Sequence, residues 1–134
     1  MNRESLFLLA AAVGLIPIAL GYGLFPADSM AMLFDIDASS VNASHIYRAV
    51  MGLYLALVIF WVSGALRAPL RLPALWSLTV FMFGLAAGRS LSLLVDGLPS
   101  PLLSISLLLE LGFGTLGAYL IRGHYPQGLA PRSE

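Results

Sequence analysis

Four long apolar runs leave this chain little freedom in how it folds. Leu6 to Phe25, Ile46 to Leu66, Ala74 to Val95 and Leu102 to Ile121 are rich in Leu, Ala, Ile, Val, Phe and Gly and nearly free of charge. A helix of about 20 mostly apolar residues crosses the roughly 30 Å of bilayer hydrocarbon. Each run meets that length, and the loops between them are too short for a folded soluble domain. Of 134 residues, 59% are hydrophobic and 10% charged, against roughly 45–50% and about 25% in soluble domains. So few charges cannot cover the surface of a small water-soluble globule. The expected fold is all-α: one transmembrane domain spanning 1–134, an integral membrane four-helix bundle with antiparallel neighbours.

Turn residues mark the breaks. Pro26 ends the first run. Two prolines and two arginines fill Arg67 to Pro73, and Asp96-Gly-Leu-Pro-Ser-Pro101 separates the third run from the fourth. Connections this short force neighbouring helices to run in opposite directions. Pro17 lies inside the first run, where it is expected to kink the helix. Arg3 ahead of an apolar run also suggests a signal peptide. The run exceeds the roughly 7–15 residues of a signal core, however, and no small-x-small cleavage site follows it. In the loop from Pro26 to Ser44, Met30, Leu33 and Phe34 fall at i, i+3 and i+4. That spacing predicts a short interfacial helix, with Asp28 favourably near its N-terminus. Ser44 or Asn42 is expected to cap the second long helix.

Charge sets the orientation. Net charge is zero, with seven basic residues against seven acidic ones. This gives no general attraction to nucleic acid. There is no cysteine, so disulfides, thiol redox chemistry and thiolate metal sites are excluded. Arg3, Arg67, Arg71, Arg122 and Arg132 fall in the two tails and the middle loop. The other two loops carry Asp28, Asp35, Asp37 and Asp96. Arginine concentrates on the cytoplasmic side, so both termini are expected there. Trp61 and Trp76 near the middle loop, and Tyr22 and Tyr47 near the opposite face, fit interfacial aromatic belts.

Three ionisable residues remain inside the runs: Arg48, Arg89 and Glu110. At ~1.5 Å rise per residue they lie about 3, 9 and 12 Å from the outer ends of their spans. Charges at that depth are costly unless paired, so an Arg48–Glu110–Arg89 cluster is expected. Glu110 shares a helix face with Ser106, Gly114 and Gly117. Arg89 shares one with Ser92 and Asp96. Arg48 shares one with His45 and Gly52, and Tyr47 is its neighbour. Gly52 with Ala56, and Gly84 with Gly88, are small-xxx-small pairs suited to close helix contact. The cluster serves either to fix helix register and partner choice or to receive a ligand. A proton relay lacks a second carboxylate at depth.

Weaker signals complete the inventory. His45 with Asp35, Asp37 and Asp96 matches no metal-ligand spacing, so no metal or cofactor is expected. Asn42-Ala-Ser44 is a glycosylation sequon. His124 has no evident partner. No catalytic set or phosphate loop is present, which points away from an enzyme.

Tyr47-Arg-Ala-Val-Met-Gly-Leu-Tyr54, Gly84-Leu-Ala-Ala-Gly-Arg-Ser-Leu-Ser92, Asp96 to Pro101 and Glu110-Leu111 together resemble a family of small bacterial membrane proteins known as a domain of unknown function. The layout is also similar to DoxX-like four-span proteins. This resemblance covers most of the chain and implies a bacterial inner-membrane location, but no activity. Three functions compete. One is binding of an anionic membrane lipid or other amphiphile at the outer-leaflet cluster, where two arginines against one glutamate leave a surplus positive charge. Another is an accessory subunit held by a membrane-protein partner or a second copy. The third is a small transporter. For the topology, a reporter fused after Glu134 is expected to read cytoplasmic, and one inserted in the 26–44 loop external. A C-terminus on the external face overturns the arrangement.

Overall fold

The computed structural model describes residues 1–125. Arg132, assigned above to the cytoplasmic tail, lies outside them. Among the described residues every regular element is helical: α1 (Arg3–Gly23), α2 (Pro26–Phe34), α3 (Val41–Leu66), α4 (Ala68–Val95) and α5 (Pro101–His124). The four long helices are each long and apolar enough to cross a membrane. α1 packs along α3, α3 along α4, and α4 along α5.

The helix ends follow from side-chain chemistry. The Asn2 carboxamide oxygen accepts the Ser5 N–H at 2.9 Å and caps α1, and α1 continues through Pro17 without a break. Pro26 opens α2, where its missing N–H costs nothing. Asp35 closes α2 in the left-handed region at φ 56°, a conformation Asp tolerates better than most residues. The next segment turns on Asp37, whose carboxylate accepts the Ser39 N–H at 2.9 Å. Hydrogen bonds from Ser39's side chain and backbone hold the Asp37 carboxyl below its ordinary pKa. The cap of α3 is Ser40, whose hydroxyl accepts the Ala43 N–H at 3.1 Å. Asn42 and Ser44, expected as caps, therefore lie within the first turn of α3.

The segment from Arg67 to Pro73, expected as a loop, is nearly all helix. Arg67 alone separates α3 from α4, in extended conformation. Pro69 sits in the first turn of α4, where no intrahelical N–H is needed. The last carbonyls of α3 lack helical partners. The carbonyl of Ala65 instead accepts the Ser5 hydroxyl at 2.8 Å and Arg71 Nη2 at 3.4 Å. Arg71 is thus a helix-end partner in α4, and its cation suits the negative end of the α3 dipole.

Small residues set the tightest contacts. A Cβ on Gly64 would collide with the Ala74 Cβ and sit 3.1 Å from the Leu70 carbonyl oxygen. The pairs singled out by spacing behave differently: a Cβ at Gly52, Gly84 or Gly88 meets nothing within 4 Å. Among the described residues those glycines make no close contact. Trp61, expected at an interface, is fully buried. Its indole Nε1 donates to Ser77 Oγ at 3.4 Å, and its ring meets Phe81 edge-on. Trp76 is exposed.

This packing predicts opposite outcomes for two glycines on α3. Gly64→Ala is expected to cost roughly 1–3 kcal/mol, because neither backbone nor Ala74 has room to yield. Gly52→Ala is expected to be neutral, or stabilising by up to about 1 kcal/mol through helix propensity. Denaturation of the two variants in mixed micelles checks the contrast.

Candidate functional site

Glu110 is placed by the inward face of α5, the face whose Gly114 and Gly117 let α4 approach. A Cβ at Gly114 would crowd the Phe83 ring, and one at Gly117 would strike Thr79. At that closeness Glu110 is 6% exposed and meets Arg89 of α4. Arg89 Nε donates to Glu110 Oε1 at 2.8 Å and to Oε2 at 3.0 Å. Both bonds run through Nε, so the Nη1 and Nη2 edge of the guanidinium is not used on Glu110. A quarter of the Arg89 side chain remains accessible.

Arg89 and Glu110 line a cavity of about 330 Å³ between α1, α2, α4 and α5, with Tyr54 of α3 contributing to its wall. Met30, Leu33 and Phe34 of α2 close one side. Met30 is buried, and Phe34 stacks on Tyr22 with centroids 6.2 Å apart. The short helix expected from the i, i+3, i+4 spacing is therefore real, and its apolar face covers the cavity. α1 and α5 face each other across the space. They meet at one end, where His124 Nδ1 lies 3.0 Å from Glu4 Oε1 and Phe7 stacks on Phe113 at 5.6 Å. His124, without an evident partner in the sequence, thus has one. Toward the other end the lining residues Ile18, Leu102 and Leu109 are exposed. They mark a mouth between the two helices.

The remaining predicted site residues divide. Ser106 lines the cavity, its hydroxyl donated to the Leu102 carbonyl at 3.0 Å. Tyr47 stacks on Tyr22 at 6.0 Å, outside the cavity wall. Ser92 donates to Asp96 at 2.6 Å on the exposed end of α4, away from the ion pair. His45 and Arg48 are exposed on α3, and the salt bridge of Glu110 is to Arg89. Arg48 therefore does not complete the expected triad, because α5 packs on α4 rather than α3. The surplus positive charge goes with it: the site holds one cation against one anion. Among the described residues no three His, Asp or Glu gather to hold a metal ion.

Tyr54 and Phe81 were not among the sequence candidates, yet both line the cavity and meet edge-to-face at 5.3 Å. Tyr47 and Tyr54 are i and i+7 on one face of α3, and Tyr22 contacts both. That spacing was the available signal.

A family model described as a domain of unknown function, DUF4345, matches residues 4–121. The chain belongs to this family. The match takes in α2, α3 and α4 whole and nearly all of α1 and α5, so every element lining the cavity is part of the DUF4345 domain. Neither a curated protein nor a solved structure matches the chain.

The ion pair yields a stability prediction. Glu110→Gln leaves Arg89 without its countercharge, and breaking a buried pair from one side costs roughly 3–5 kcal/mol. The lower end is expected, since Arg89 keeps partial access. Replacing both residues by Met removes both charges together and is expected to cost much less. Unfolding of the single and double variants checks the order. A double variant as unstable as the single would exclude a simple charge-pair role.

Proposed function

We propose that this chain is a multi-pass protein of the bacterial inner membrane that binds a lipid-like amphiphile. Its four long helices cross in alternating directions with both termini cytoplasmic, as the arginine distribution implies. One observation carries the reading: Arg89, partly accessible and bonded to Glu110 through Nε alone, lines a largely apolar cavity that opens sideways between α1 and α5. In a membrane such a mouth faces acyl chains, so an amphiphile enters without crossing water. Its polar head meets Arg89, and its chain lies along the aromatic and aliphatic walls. The volume limits the occupant. An apolar cavity of about 150 Å³ holds one benzene, so this one encloses roughly a dozen non-hydrogen atoms. That is one chain rather than a whole diacyl lipid.

A second reading has its own support. The small-residue faces at Gly52 and at Gly84 with Gly88 are open, and such faces suit helix–helix docking. On this reading the chain is an accessory subunit and the ion pair fixes its internal register.

Native mass spectrometry of the gently solubilised protein separates the two. A retained small-molecule adduct supports binding, whereas a stoichiometric protein partner with no adduct supports the subunit reading. Gly14 lines the cavity with nothing within 4 Å of an added Cβ. Gly14→Phe is therefore expected to fill the cavity and abolish the adduct while the helices still fold.

A further inference from the structure

The cavity's electrostatics narrow the occupant further, on an inference that rests on the amphiphile reading above. We infer that the cavity takes an uncharged head group presenting a carbonyl oxygen, on a single apolar chain.

The first observation is charge balance. Among the described residues the cavity lining contains Arg89 and Glu110, and no other arginine, aspartate, glutamate or histidine. These two are already paired one to one. Arg48, which would have tipped the balance, is exposed on α3. Arg71 serves the α3 end, and neither it nor Arg122 lines this cavity. An anionic head would add a negative charge with no free countercharge in apolar surroundings. Burying such an ion is strongly unfavourable. A cationic head meets the same obstacle from the other side, because the Glu110 charge is already balanced by Arg89.

The second observation is the hydrogen-bond inventory. A guanidinium carries five N–H donors, and Nε accounts for one of them. The Tyr22 hydroxyl lies beside the guanidinium and accounts for at most one more. Donors therefore remain on a guanidinium whose residue lines the cavity. Glu110 is already paired with Arg89, and the Ser106 proton is committed to the Leu102 carbonyl, so Ser106 offers the cavity no donor of its own. A site with spare donors and balanced charge selects an uncharged acceptor, and a carbonyl oxygen is the strongest common one. Phe34, Phe81, Met82, Leu85, Leu103 and Phe113 supply the apolar remainder.

The test offers the full chain in lipid nanodiscs three probes of equal chain length: monododecanoylglycerol, dodecanoate and dodecylphosphocholine. A pH of about 8 keeps the carboxylate ionised. Bound probe is read by native mass spectrometry and normalised to the Gly14→Phe variant, which removes differences in membrane partitioning. The uncharged ester is expected to exceed the anionic and the zwitterionic probe by about tenfold each. Dodecanoate or dodecylphosphocholine matching or exceeding the ester overturns this inference while leaving the amphiphile reading in place. No probe exceeding the Gly14→Phe level overturns both. Dodecanol serves as a fourth probe: binding equal to the ester's overturns the carbonyl requirement. Glu110→Gln converts the site to a net cation and is expected to shift preference about tenfold toward dodecanoate. If that variant does not fold, the wild-type panel decides alone.

Discussion

The bond between Arg89 and Glu110 organises the open half of this molecule. α5 is held mainly by α4, and the pair is the polar bond between them. In hydrocarbon, neither residue is tolerable alone. Each therefore fixes the rotation of its own helix about its axis. Once Glu110 faces α4, Ser106 and Phe113 must line the space beside α1, since they lie one turn to either side. The cavity follows from where the pair sits rather than from a separate set of residues.

Close approach of backbones holds the other half. Between apolar helices in lipid, association relies on packing and interhelical hydrogen bonds, because lipid tails are as apolar as leucine. α3 and α4 meet this requirement through Gly64 against Ala74 and through Trp61 seated between them. Ser5 and Arg71 converge on the Ala65 carbonyl and satisfy the frayed end of α3 without water. The chain is thus densely knit at the Arg67 turn and loosely packed where α1 and α5 part.

The sequence revealed what depends on long-range composition. Four runs of membrane-crossing length, the amphipathic α2 and the pairing of Glu110 with Arg89 could all be read from spacing and depth. It did not reveal which face of each apolar helix turns inward. Lipid and protein interior are equally apolar, so periodicity carries little contrast. Hence Trp61 read as interfacial but lies in the core, and Arg48 read as clustered but lies on an exposed face. The Arg67–Pro73 stretch misled for another reason: Pro69 falls in the first turn of α4, where a proline is harmless, and α4 runs on through Pro73. Ser40 was overlooked as a cap because the helix starts before its apolar run does, with Val41 to His45 extending it by more than a turn. The carboxylate partner of His124 lies at the opposite end of the chain, beyond any local pattern.

The stack of Phe7 on Phe113 falls near the middle of α5. Twelve positions separate Phe113 from Pro101, an arm of about 18 Å at ~1.5 Å per residue. A rigid tilt of roughly 10° about the stack would carry the Pro101 end by about 3 Å, comparable to the width of a methylene chain, yet move Glu110 by less than about 1 Å. The geometry is that of a lever whose fulcrum lies one turn from its electrostatic latch. Any such tilt displaces the Arg89 contact about fourfold less than the mouth beside Leu102.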